Sequence, residues 1–168
     1  PQAALPPLAL ATVDSAGLPE GSTAVHYRLA YADAQQLRPY VLARWSMPPA
    51  QLLRQRLREH LGQRRAVLNA AQGLVADKPA MALHLELDEF SQLFETTERS
   101  SGLVRLRATL GQGGPGGQRL VAQRSFIVQR PASSADAEGG VRALAAATDA
   151  AIAEITQWLQ QVEGAGSP

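Results

Sequence analysis

Three stretches in the second half of the chain alternate apolar and polar residues, and they lie close enough in sequence to pair with one another. In the first, Met81, Leu83, Leu85 and Leu87 alternate with His84, Glu86 and Asp88, after which the apolar phase moves to Phe90 and Phe94. The second sets Val104, Leu106, Ala108 and Leu110 against Arg105, Arg107 and Thr109, and the third places Leu120, Ala122, Phe126 and Val128 on one side. A period of two is that of a strand with one buried face. The phase change in the first stretch predicts a β-bulge near Asp88 and Glu89. Gly111 to Gly117 reads as a hairpin turn rather than a phosphate loop, since it lacks a Lys-Ser/Thr ending and leads into a strand. An antiparallel meander follows, and its apolar face needs a cover.

Two helices supply that cover. Val141, Leu144, Ala145, Thr148, Ile152, Ile155 and Leu159 recur at helical spacing after a Ser/Ala/Gly loop from Pro131 to Gly140, and Trp158 is assigned to packing. The many alanines favour helix and permit close approach to a sheet. Earlier, Ser46 and Pro48-Pro49 signal a helix start, Ala50, Leu53, Leu57 and Leu61 make its apolar stripe, and Gly62 ends it. Arg54, Arg58 and Arg65 fall on a neighbouring face and read as solvated, with a lipid headgroup or anionic partner as the sharper alternative. Upstream, Val25, Tyr27, Leu29 and Tyr31 alternate with His26 and Arg28 in a further strand; Arg38-Pro39-Tyr40 is read as a turn before a short strand from Val41 to Trp45. Ala66 to Ala70 is another short strand, ending near a turn at Ala76 to Pro79. The order predicts an α+β fold: a mainly antiparallel sheet with two principal helices packed on it.

The chain's 168 residues fit one domain, spanning 23–162. Residues 1–22 are rich in Pro, Ala and Gly and read as a tether or loosely packed arm, with an edge strand through Leu8, Leu10 and Val13 as the alternative; 163–168 read as a disordered tail.

Chemistry is sparse in this sequence. There is no cysteine, so thiolate nucleophiles and cysteine metal sites are absent. The net charge of +1 gives no field to collect nucleic acid. His26, His60 and His84 are scattered without metal-ligand spacing, and Glu86, Asp88 and Glu89 fit a solvated strand face opposite Arg105 and Arg107. No catalytic, cofactor or metal residue is assigned. A hydrolase with a dispersed site of His26, His84 and Asp88 is the weakest alternative. What remains is Arg38, Tyr40, Arg44, Trp45 and Met47, a set suited to gripping another surface, with Trp45 equally readable as a staple for the adjacent helix.

These residues also carry a resemblance. Tyr27-Arg28-Leu29, Arg38-Pro39-Tyr40, Ala43-Arg44-Trp45 with Pro48-Pro49, the Leu52 to Leu61 helix, Asp88-Glu89-Phe90 within the strand from Leu83 to Phe94, the arginine-bearing strand from Val104 and the final Ala/Ile helix together resemble the ABC-type transport auxiliary lipoproteins, a family that includes PqiC-like outer-membrane lipoproteins. The resemblance implies a non-enzymatic domain on the periplasmic side of the outer membrane, held by an N-terminal lipid whose cysteine is absent from this chain. It implies as partners an MCE-domain protein and ABC transporter subunits in lipid or hydrophobic-compound transport. Self-assembly and direct carriage of a lipid tail are further options.

Overall fold

In the computed structural model, residues 4–74, 80–113 and 116–165 are described. In chain order the elements are β1 (Leu8–Leu10), β2 (Ala24–Leu29), β3 (Asp33–Arg44), α1 (Pro49–Leu61), β4 (Val67–Leu68), α2 (Ala70–Leu74), β5 (Met81–Phe94), β6 (Ser100–Gln112), β7 (Arg119–Pro131) and α3 (Ala137–Ala165). The turn expected at Ala76 to Pro79 lies outside the described residues for Ala76 to Pro79 themselves.

β5 is the axis of a mixed seven-stranded sheet. Along one side it pairs antiparallel with β6, which pairs antiparallel with β7. Its other side is shared in parallel register: β1 lies against Met81 to Leu83, and β2 against Gln92 to Phe94. The expected bulge is present, since the β5–β6 register shifts between Leu87 and Glu89. This shift turns Leu83, Leu85 and Leu87, then Phe90, toward the same core as Leu106 and Phe126. A second irregularity at Leu110/Gly111 leaves Leu120 exposed, not aligned with Ala122 as the alternation implied.

Both helices close that face. Leu53, Leu57 and Leu61 of α1 and Leu144, Ala147, Ala151, Ile155 and Leu159 of α3 are buried in one cluster with the sheet. Burial of each leucine side chain is worth about 1.5–3 kcal/mol. Trp158 packs edge-on against Phe126, with ring centroids 5.9 Å apart. α3 approaches closely at Gly102, where an added Cβ would stand 2.6 Å from the Ala143 carbonyl carbon. Asp136 begins this helix: its carboxylate accepts the Gly139 N–H at 2.8 Å and the Ser134 hydroxyl at 2.7 Å, and these bonds hold its pKa below the ordinary value. At α1 the Ser46 side chain does not cap; Pro48 occupies the cap position without a side-chain bond.

Other expectations also need correction. The arm reading fails for Leu8 to Leu10, which are buried and lie between β5 and β4, so β1 is not an edge either. Asp14 continues the ladder beside Glu86, so the chain runs along β5 as a broken parallel strand. Its apolar Leu-Ala-Leu core was masked by flanking prolines and glycines. The tail reading fails for residues 163–165, which belong to α3. Arg54 and Arg65 are not a solvated face: Arg54 donates to the Leu10 and Ala11 carbonyls, and Arg65 donates to the Pro6 carbonyl and both Glu163 oxygens. Arg38-Pro39-Tyr40 is not a turn but lies inside β3, which is tolerable because β3 is an edge strand and Pro39 has no N–H to contribute.

Candidate functional site

The β2–β3 hairpin carries the residues singled out for contact, and its irregular register explains their placement. Ala24 pairs with Arg44 and His26 with Pro39, so Tyr40, Val41, Leu42 and Ala43 stand opposite Val25 alone. Tyr27 pairs with Arg38 and Leu29 with Asp33, so Ala34 to Leu37 stand opposite Arg28 alone. Extra residues on one strand must bow outward. The first bow lifts Val41 to 85% and Leu42 to 95% exposure. Arg28 fills the second, donating from Nη1 to the Ala34 and Gln35 carbonyls at 3.1 and 2.9 Å.

The five predicted residues divide between outside and inside. Arg44 is exposed, Met47 is half-buried, and Arg38 is half-buried with Nη2 donating to Gln36 and Nε left without an acceptor. Tyr40 turns inward. Its ring lies 4.6 Å from that of Tyr27, and its hydroxyl donates to Gln92 Oε1 at 2.7 Å. Burial, with smaller contributions from Tyr27 and Asp136, pushes its pKa up to about 12. Trp45 packs edge-on against Phe90 at 5.4 Å, and its backbone N–H donates to the Thr23 carbonyl. A cavity of about 160 Å³ lies beside it, lined also by Leu52, Leu53, Arg56 and Ala145. Trp45 therefore staples the entry of α1 while forming a wall of that cavity.

Two polar clusters join this hairpin to the rest of the molecule. Gln92, fully buried, accepts from Tyr40 and donates to the Ser100 hydroxyl at 2.8 Å and the Asp136 carbonyl at 3.1 Å, linking β3, β5, β6 and the start of α3. Gly140 makes room for it, since a Cβ there would meet the Gln92 side chain at 2.1 Å. On the opposite sheet face Arg28 grips Glu89 through two bonds of 2.7 and 2.9 Å, and Ser91 donates to the same carboxylate at 2.8 Å. Glu89 is thus buried beside β2, and its partner is Arg28, not its register neighbour Arg105. His26 is also buried, although it alternates with the apolar residues of its strand, and burial lowers its pKa against the opposing pull of Glu89.

Sequence reasoning missed both clusters. A signal for the first existed: Gln92 occupies an inward position between Phe90 and Phe94. The dispersed hydrolase set is not assembled, because His26 sits near Glu89 while exposed His84, toward the other end of β5, bonds Asp14 at 2.9 Å. Among the described residues no group of three or more His, Cys, Asp or Glu is placed to hold a metal ion. No helix there is long and apolar enough to cross a membrane.

The fold recurs in solved structures. Protein XCC0632 from Xanthomonas campestris superposes with a TM-score of 0.80 at 21% identity, over 96% of this chain and 88% of that one. The hypothetical protein CT253 from Chlamydia trachomatis does so with a TM-score of 0.60 at 10% identity, over 92% and 95%. At these identities the likeness is one of fold. No curated protein matches the chain. The family model described as the ABC-type transport auxiliary lipoprotein component matches residues 23–156, from the start of β2 through most of α3. The chain belongs to the ABC-type transport auxiliary lipoprotein family.

Proposed function

We propose that this chain is the docking component of its ABC transport system, and that it contacts an MCE-domain partner through the outward bow of β3 on the periplasmic side of the outer membrane. The observation that carries this reading is the pair Val41 and Leu42, 85% and 95% exposed on an edge strand and flanked by Arg38, Arg44 and Met47. Large apolar side chains raised this far from the sheet contribute nothing to the core, and apolar groups with neighbouring arginine are suited to a buried contact. The bows and Pro39 interrupt the edge ladder, which discourages simple strand addition and favours recognition by side chains. Tyr40 and Trp45 act from beneath as braces. In this reading the transported compound is lipid or hydrophobic, and a lipid on the N-terminal side holds the domain at the membrane.

A photo-crosslinking residue at position 42 tests the contact in cells that carry the transport system. The expected adduct contains the MCE-domain protein, and Val41→Asp with Arg44→Glu abolishes it while the purified domain keeps its unfolding midpoint. Adducts absent at position 42 but present from the opposite edge strand, β7, would overturn the assignment of this surface. Carriage of a whole lipid tail between sheet and helices has less support, since that space is filled by fully buried side chains such as Leu53, Leu85, Leu106, Leu144 and Ile155, and the cavity at its margin beside Trp45 measures about 160 Å³.

A further inference from the structure

Two consecutive arginines after α1 have opposite fates. Arg65 is buried and paired, each of its three nitrogens donating: two to the Glu163 oxygens, at 2.6 and 3.2 Å, and one to the Pro6 carbonyl at 2.8 Å. Arg64 is half-buried, and its Nε is sealed from solvent with no acceptor. Its backbone is engaged on both sides, the N–H donating to the Leu61 carbonyl at 3.2 Å and the carbonyl accepting from the Leu5 N–H at 2.9 Å. Leaving a guanidinium donor buried and unpaired costs more than leaving a neutral one. The side chain therefore gains by turning toward an anion, and the nearby Glu163 carboxylate is already held by Arg65.

Arg64 lines a cavity of about 160 Å³ at the end of the α1–α3 seam. Leu5, Leu61 and Leu159 give this cavity apolar walls, and His60, Thr156 and Gln160 stand around it. The Thr156 hydroxyl already donates to the Ile152 carbonyl, so it offers an incoming group only acceptor capacity. A cation beside an apolar recess selects for a ligand with both characters. The geometry points to a binding site for an anionic amphiphile: a carboxylate or phosphate held by Arg64, with an apolar segment of about six to eight non-hydrogen atoms against the three leucines. A free short-chain acid and the end of a membrane lipid share this chemistry. The site has no residue in common with the β3 surface and stands or falls separately from it.

The test uses the full chain and the Nε–H NMR signal of Arg64, assigned by its loss in Arg64→Gln. Hexanoate and hexyl phosphate are the soluble probes; vesicles of phosphatidylglycerol and of phosphatidylcholine are the membrane ones. The expected result is a saturable shift with hexanoate or hexyl phosphate, weakened roughly tenfold or more in Arg64→Gln. Thr156→Leu, which narrows the recess and keeps the guanidinium, should weaken it as well. A response to phosphatidylglycerol vesicles but not phosphatidylcholine assigns a lipid source, and a response to the soluble probes alone assigns a free amphiphile; both support the site. An equal response to inorganic phosphate would overturn the amphiphile assignment, because the apolar walls would then contribute nothing. Absence of any Arg64-dependent response to all four probes would overturn the site itself.

Discussion

The β5–β6–β7 meander and the β2–β3 hairpin belong to one sheet but use their residues in opposite ways. In the meander, register is regular over long stretches and broken at two positions, Leu87/Glu89 and Leu110/Gly111. Its inward leucines are shut against two helices. In the hairpin the register slips twice within a strand of twelve residues, Val41 and Leu42 point into solvent, and polar bonds from Tyr40 and Arg28 tie the hairpin to Gln92 and Glu89 of β5. Regular alternation gives each side chain a place in the core; slippage releases side chains for other surfaces. The comparison teaches that the irregular part of this sheet, more than its longest strands, has side chains to spare, which is why the proposed partner contact is placed there.

The sharpest way to break that comparison is to make the same substitution in both regions. Leu106→Ala in β6, where the side chain is fully buried, is expected to cost about 3 kcal/mol through lost burial and the cavity left behind. Leu42→Ala in β3 is expected to change stability by less than about 0.5 kcal/mol. Urea denaturation of the purified domain measures both. A cost at Leu42 that approaches that at Leu106 would mean the bow is packed, and its role as a free surface would fall.

A smaller effect tests how the hairpin is held. Arg28 binds Glu89 on β5 and also fills the gap left by Ala34 and Gln35, so it joins the irregular strand to the regular one. Arg28→Met keeps the aliphatic stem but strands a buried carboxylate. The expected cost is about 2 kcal/mol, discounted from a fully buried pair because Arg28 keeps 20% side-chain exposure. Adding Glu89→Gln should recover part of it, since a neutral amide is less costly to leave without its partner. If the double variant is less stable than Arg28→Met alone, the charge on Glu89 is satisfied by other groups and the link between strands has been misread.

How much of this was visible beforehand follows the same division. The meander, its bulge near Asp88 and both principal helices were legible because each depends on a repeated local period. β1 was legible only as an alternative, and as an edge, because three residues, Leu8 to Leu10, are too few to show alternation and their burial depends on partners about sixty or more positions away. α2 is only five residues long and has no periodicity to display. In β3 the Arg-Pro-Tyr sequence carries a genuine turn signal, yet pairing with β2 overrode it. The candidate contact residues could be singled out as a group, but their orientation was not legible: Tyr40 points to Gln92 because of a slip in register, and nothing local encodes the slip. Val41 and Leu42 were read as ordinary strand residues for the same reason.

The inward turn of Tyr40 gives the finest test of the hairpin's attachment. Its phenol loses a proton near pH 10.0 when unconstrained and near 12 in the folded chain, because burial disfavours the phenolate. Below pH about 10 both states keep the proton, and the group adds no pH dependence. Between about 10 and 12 the unfolded chain releases it first, so the folded state binds more protons and stability falls as pH rises. Tyr40→Phe removes the ionisation together with the bond to Gln92. Plotted against pH, the stability of the parent minus that of Tyr40→Phe should therefore be level up to about 10 and decline above it, as followed by chemical denaturation. A difference that stays level through pH 12 would place the phenol in solvent, and β3 would then hang from β2 without its inner tie to Gln92 and α3.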